Sequence, residues 1–148
     1  MIETANILSE SIFEALETMA FMTTMPSDEE PGVPTNLILG ELDFSGPKKG
    51  SVQILAGHEF CEILAENIAA LDEADDEACF DAIQELSNVT CGLVIPHLTE
   101  KDEDVFSVSV PVVKSGPDAP GWEEFISKPD AHVFSIEEYL ISARLVIE

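Results

Sequence analysis

Apolar residues recur at a helical interval near the start of the chain. Ile7, Leu8, Ile12, Leu16, Met19 and Ala20 share one stripe, with Glu10, Glu14 and Glu17 off it, which predicts an amphipathic helix over residues 4–20. Thr4 stands where an N-cap is expected. Three prolines, a glycine and three acids over residues 26–34 predict a loop. Residues 37–44 and 51–56 read as strands around a turn at 45–50, forming a hairpin that Gly57 ends. Helical spacing resumes over 58–71, with Phe60, Ile63, Leu64, Ile68 and Leu71 on one side. An acidic link over 72–77 leads into a third helix, from 76 to about 93, and acids suit its N-terminus. Phe106, Val108, Val110 and Val112 then alternate with other residues, which predicts a strand with one apolar face. A Pro- and Gly-rich loop fills 114–130, and a short strand follows at 132–136. In the last segment Tyr139, Ile141, Ala143, Leu145 and Ile147 share a face, with Ser142, Arg144 and Glu148 opposite. The order helix, hairpin, two helices and strands predicts a single α+β domain over residues 1–148, with a mainly antiparallel sheet.

Charge narrows the function. Thirty acids against six bases give a net charge of −24 over 148 residues, so nucleic acid and anionic lipid are poor partners. An apolar content of 45% is too high for a disordered acidic tail. No apolar run approaches the roughly 18 residues of a membrane span, and the N-terminus does not read as a signal peptide. Cys61, Cys79 and Cys91 fit neither a zinc site nor a disulfide framework and read as buried thiols. His58, His97 and His132 show no ligand spacing. A cytoplasmic protein without an intrinsic transition metal is expected. Trp122 is either a partner anchor or a lid folded back on the domain, and the lid is the favoured reading. Met19, Met22 and Met25 read as core filling, and Lys48–Lys49 as a solvated turn.

The chemistry concentrates in the third helix. At about 100° per residue, Asp81, Glu85 and Asn88 fall within an arc of about 60°, while Ala82, Ile83, Leu86, Val89 and Leu93 lie opposite. An exposed Glu can pair with a partner's lysine, and an Asn amide can both donate to and accept from a water. Hydrolysis of a phosphoryl group needs a water in line and stabilised charge more than covalent help. Taken alone, a solvated acidic face accounts for the same three residues.

Their spacing resembles the motif of the CheC/CheX/FliY chemotaxis phosphatases: Asp or Ser, three residues, Glu, two residues, Asn, twenty-two residues, Pro. Asp81, Glu85, Asn88 and Pro111 match it, and the run Glu85-Leu86-Ser87-Asn88 to Gly92 resembles the family's sequence around it. The resemblance implies a CheC/CheX-like fold with long helices packed on the sheet. It also implies hydrolysis of the aspartyl phosphate of a phosphorylated CheY-like receiver. By position, Glu85 would bind the receiver's lysine, Asn88 would place the water, and Asp81 would support the site. Pro111 and Gly92 would be structural. No cofactor is implied for this chain; Mg²⁺ would be held by the receiver. One motif copy suits the CheX type, since Glu3–Asn6 lacks the rest of the pattern, and CheX-type members form homodimers through sheet edges. The strand 139–147 is the candidate edge. The alternative is a non-catalytic dimeric docking module of the same fold.

Overall fold

The computed structural model describes residues 4–22, 32–70 and 72–148. Helix α1 spans Thr4–Ala20, and the hairpin comprises β1 Leu37–Ser45 and β2 Gly50–Gly57. Helices α2, His58–Ala69, and α3, Asp76–Leu98, follow. Then come β3 Ser107–Val108, β4 Val112–Ser115, a 3₁₀ turn at Gly116–Asp118, α4 Trp122–Ile126, β5 Ala131–Ile136 and β6 Tyr139–Ile147. The sheet is antiparallel throughout, in the order β3-β1-β2-β6-β5, with β4 also paired to β1.

Alternation in the strands decides which residues meet the helices. Ile38, Leu42 and Phe44 of β1, Val52, Ile54 and Ala56 of β2, and Ile141, Ala143 and Leu145 of β6 face α1, α2 and α3 in one buried core. The opposite sheet face carries a second, smaller cluster of Leu39, Leu55, Trp122 and Phe125 under α4. Trp122, 7% exposed, is thus a lid folded onto the sheet, and the segment expected as loop contains this short helix. Met22 is buried in the main core and Met19 packs against it, while Met25, Leu71 and most of the proline-rich loop lie outside the described residues.

Several expectations are corrected. Thr4 is inside α1, so it is not the N-cap. Helix α3 runs to Leu98, about a turn and a half beyond the expected end, with Pro96 inside its last turn. The buried Val94 and Leu98 supply a reason to continue past the proline. Strand β6 lies between β2 and β5 and is no edge; β5 bounds the sheet on that side, and β3 and β4 on the other. The single strand expected around residues 105–112 is two short strands separated by a bulge. Val108 pairs with Phe44 and Val112 with Glu41, so four steps on this strand match three on β1. Val108, opposite Phe44, shares the core face at the sheet's border, and past the extra residue the inward set switches, so Val113 points inward and Val112 outward. Val113 packs against the core, whereas Val108, Val110 and Val112 are 41%, 80% and 51% exposed. Pro111 sits in the bulge, where its missing N–H costs the sheet no hydrogen bond.

The buried thiols of Cys61, Cys79 and Cys91 are free, and burial pushes those of Cys79 and Cys91 up to about 11. Lys48, expected in solvent, pairs with Glu100 at 2.9 Å. Among the described residues, no helix is long and apolar enough to cross a membrane.

His58 joins the two helices that follow the hairpin. Its Nδ1 lies 2.6 Å from Glu62 and its Nε2 2.9 Å from Asp76 at the start of α3. The hydrogen bond with Asp76, helped by Glu62, raises the imidazole pKa despite partial burial. A raised folded pKa adds stability that is complete below the unfolded value of about 6.5 and is lost as pH rises through the folded one. Thermal melts of His58→Ala should therefore show a deficit of about 1–3 °C at pH 6 that shrinks by pH 9. A pH-independent deficit would mean that the charged pairing contributes nothing.

Candidate functional site

Helix α3 starts firmly. Asp75 is its N-cap, accepting a 2.8 Å hydrogen bond from the Ala78 amide, and Asp76 and Glu77 occupy its first turn, where the helix dipole favours acids. Its buried side comprises Cys79, Ala82, Ile83, Leu86, Ser87, Thr90, Cys91, Val94 and Leu98. Val89 and Leu93, expected on the anchoring face, are only half-buried at its flank. The helix lies very close to β1 at Gly40. A Cβ there would run into Ser87 Oγ and stand 3.2 Å from the Ile83 carbonyl oxygen. Ser87 Oγ is itself committed to that carbonyl, donating at 2.8 Å. Gly40 therefore sets how deep the helix sits.

The outer side is left to Asp81, Glu85 and Asn88, all exposed. Among the described residues, no hydrogen bond or ion pair engages their side chains, although Lys48, Lys114 and Arg144 are all held by other partners. The three residues form a ridge between two depressions. On one side lies an open groove of about 540 Å³, lined by Asp81, Gln84, Glu85 and Asn88 of α3 and by Val108, Ser109, Val110 and Pro111 of the bulged edge. On the other, Asp81 and Glu85 border an apolar hollow between α1, α2 and α3 that includes Met19, Ile68 and Ala82.

Pro111 is thus brought next to the helix residues from which the sequence separates it. Its carbonyl accepts a 3.2 Å hydrogen bond from Gln84 Nε2. The bulge is tied on its other side to Asp43, whose amide donates to Ser109 Oγ at 2.9 Å and whose carbonyl accepts from the Ser109 amide at 2.8 Å. Gly92 does not join the groove. It is exposed, and an added Cβ would meet nothing within 4 Å, so no close packing demands glycine there. The sequence reading missed Gln84 and the valine wall. Gln84 was detectable, lying about 40° from Asn88 around the helix. The valines were hidden by their place at the sheet border: alternation predicts Val108 and Val110 buried, whereas they stand exposed in the groove.

Such a ridge offers a carboxylate for a partner's cation and an amide for a water, beside a wall of exposed valine. Among the described residues, no group of three or more His, Cys, Asp or Glu is arranged to hold a metal ion.

The sequence profile described as "Chemotaxis phosphatase CheX" matches residues 38–121, more than half of the chain, and includes every residue of the ridge and the groove. Among solved structures, the chemotaxis protein CheX of Desulfovibrio desulfuricans is similar with a TM-score of 0.72 at 19% identity, over 99% of this chain and 100% of that one. Chemotaxis protein CheX of Vibrio vulnificus gives 0.72 at 20% identity, again over 99% and 100%. CheX of Borrelia burgdorferi, solved as a CheX–CheY–BeF₃–Mg²⁺ complex, gives 0.69 at 16% identity over 100% and 99%. At these identities the likeness is one of fold. No curated protein matches the sequence.

Proposed function

The chain belongs to the CheX family of chemotaxis phosphatases, and from that membership we propose that it speeds hydrolysis of the aspartyl phosphate of a CheY-like response regulator, in chemotaxis or another two-component circuit. The observation that carries this reading is the pair Glu85 and Asn88, about one turn apart, exposed and without partners among the described residues, on a helix anchored at Gly40. The Borrelia relative's complex with CheY supports a CheY-like receiver as the partner.

Glu85 accepts a charge-assisted hydrogen bond from the receiver's lysine and fixes the docked orientation. The Asn88 amide accepts from the attacking water through its oxygen and holds it in line with the phosphorus. Water attacks phosphorus, the bond to the aspartyl oxygen breaks, and a carboxylate and inorganic phosphate are released. Asp81, one turn before Glu85, supports the ridge by its charge. Pro111 shapes the opposite wall. Mg²⁺ is expected on the receiver, with no cofactor on this chain. A homodimer is expected, and β5 is the regular edge open to a second copy, now that β6 is interior.

The test is to mix the purified protein with Mg²⁺ and phosphorylated receiver domains from the same organism and to follow phosphate loss. A shortened phosphate lifetime on one receiver supports the reading and identifies the partner. A receiver that binds with an unchanged lifetime makes this chain a docking module, and no response from any receiver overturns both. On the responsive receiver, Glu85→Ala should raise the half-saturating concentration about tenfold as well as slow the reaction, because a charge contact is lost at docking. An unchanged half-saturating concentration would remove Glu85 from the docking contact.

A further inference from the structure

We propose that Gln84, outside the motif, is a positioning residue: by holding the Pro111 carbonyl it sets the distance between the Asn88 helix and the bulged edge, and so the placement of Asn88 against a docked partner. The inference rests on the phosphatase reading of the ridge. Around α3, the outward residues run from Gln84 on the strand side through Asn88 and Asp81 to Glu85 on the side of α2, by their helical phases. The two grooves agree with that order. Gln84 and Asn88 line only the groove shared with the edge, whereas Asp81 and Glu85 line both.

Asn88 is therefore the member of the ridge that works closest to the edge wall. That wall is not a regular strand. Between Val108 and Val112 it carries one residue too many for its partner, so the ladder with β1 does not hold Val110 and Pro111 in place. Two contacts replace the ladder. Ser109 is pinned to Asp43, and Pro111 to Gln84 at 3.2 Å. Only the second reaches α3. Asn88 and Val110, the latter 80% exposed, line the same groove, so a partner seated in it meets both. Without the Gln84 bond, the wall and the helix can move apart while Glu85, on the far side of the ridge, still docks. The loss should then fall on the chemical step rather than on binding.

The experiment uses Gln84→Met, which keeps length and helix propensity but cannot donate, and Gln84→Lys, which restores a donor of similar reach. Amide exchange of the free protein should quicken at Val112 and Val113 in Gln84→Met while the buried part of α3 stays protected. With a responsive receiver, the rate at saturation should fall roughly five- to tenfold, with the half-saturating concentration changed less than about twofold, and Gln84→Lys should recover most of that rate. A merely structural role would lower the melting temperature and leave the rate per folded molecule alone. If the wild type is active and Gln84→Met keeps its saturated rate, the role of Gln84 is overturned and the phosphatase reading stands. If the wild type accelerates no receiver, that reading falls and the catalytic role of Gln84 with it.

Discussion

Replacing Asn88 by alanine should abolish nearly all acceleration of receiver dephosphorylation, a loss of roughly 100-fold, while the protein melts within about a degree or two of the wild type. Both halves follow from where the residue stands. Asn88 is exposed and, among the described residues, no hydrogen bond depends on it, so its truncation removes little packing, and surface changes of this kind usually stay within about 0.5 kcal/mol. If its amide holds the attacking water, the loss resembles removal of a single preorganised polar group, which typically costs about 10²–10³ in rate. The check is a time course of phosphate loss at saturating receiver, with a melting curve of the same sample. Retained acceleration would remove Asn88 from the chemistry, and a large drop in melting temperature would show that the side chain has a structural role. Asn88→Asp sharpens the comparison. It keeps the shape and the acceptor, but it loses the donor and adds charge near a phosphoryl group. It should be nearly as slow as Asn88→Ala.

The second large effect is on stability, at Gly40. Valine there would drive its branched side chain into Ser87 and the Ile83 carbonyl, in the middle of the contact between β1 and α3. Ser87 has little freedom to yield, being buried and bonded to that same carbonyl. Overpacking of this kind costs about 1–3 kcal/mol, and the backbone contact puts Gly40→Val at or above the upper end. Urea titration should show a lower midpoint with an unchanged slope. The change also lifts the ridge that carries Glu85 and Asn88, so folded Gly40→Val should dephosphorylate its receiver more slowly than the wild type. A variant of wild-type stability would mean that the helix does not rest on Gly40.

Much of this architecture was legible because two periods run cleanly through the chain. The stripe Ile7–Leu8–Ile12–Leu16 and the alternation Ile141–Ala143–Leu145 each place their residues in the core where the spacing puts them. The ridge was legible for the same reason: Asp81, Glu85 and Asn88 are exposed on one arc of α3. What local pattern does not contain is sheet order and register. Nothing within residues 139–147 says that β5 will pair on the far side of β6, so the segment read equally well as an edge. Val108, Val110 and Val112 alternate as a buried face would, and only pairing with β1 reveals that Val108 stands at the sheet's border opposite Phe44 and that an extra residue turns Val112 outward. Gln84 attracted no notice because its partner is a backbone carbonyl twenty-seven positions away.

The irregular edge also bears on how this protein avoids clumping. An exposed, valine-rich strand at the border of a sheet is a template for another chain, and flat edges of that composition promote aggregation. Here a proline and a miscounted register break the row of donors and acceptors that a stray strand would need, while the apolar side chains remain on display. The edge can therefore be adhesive to a folded surface that fits the valines yet unreceptive to an extended chain, and the strong negative charge adds general repulsion between copies. Straightening this segment by deleting one bulge residue would make a tidier sheet and a stickier protein.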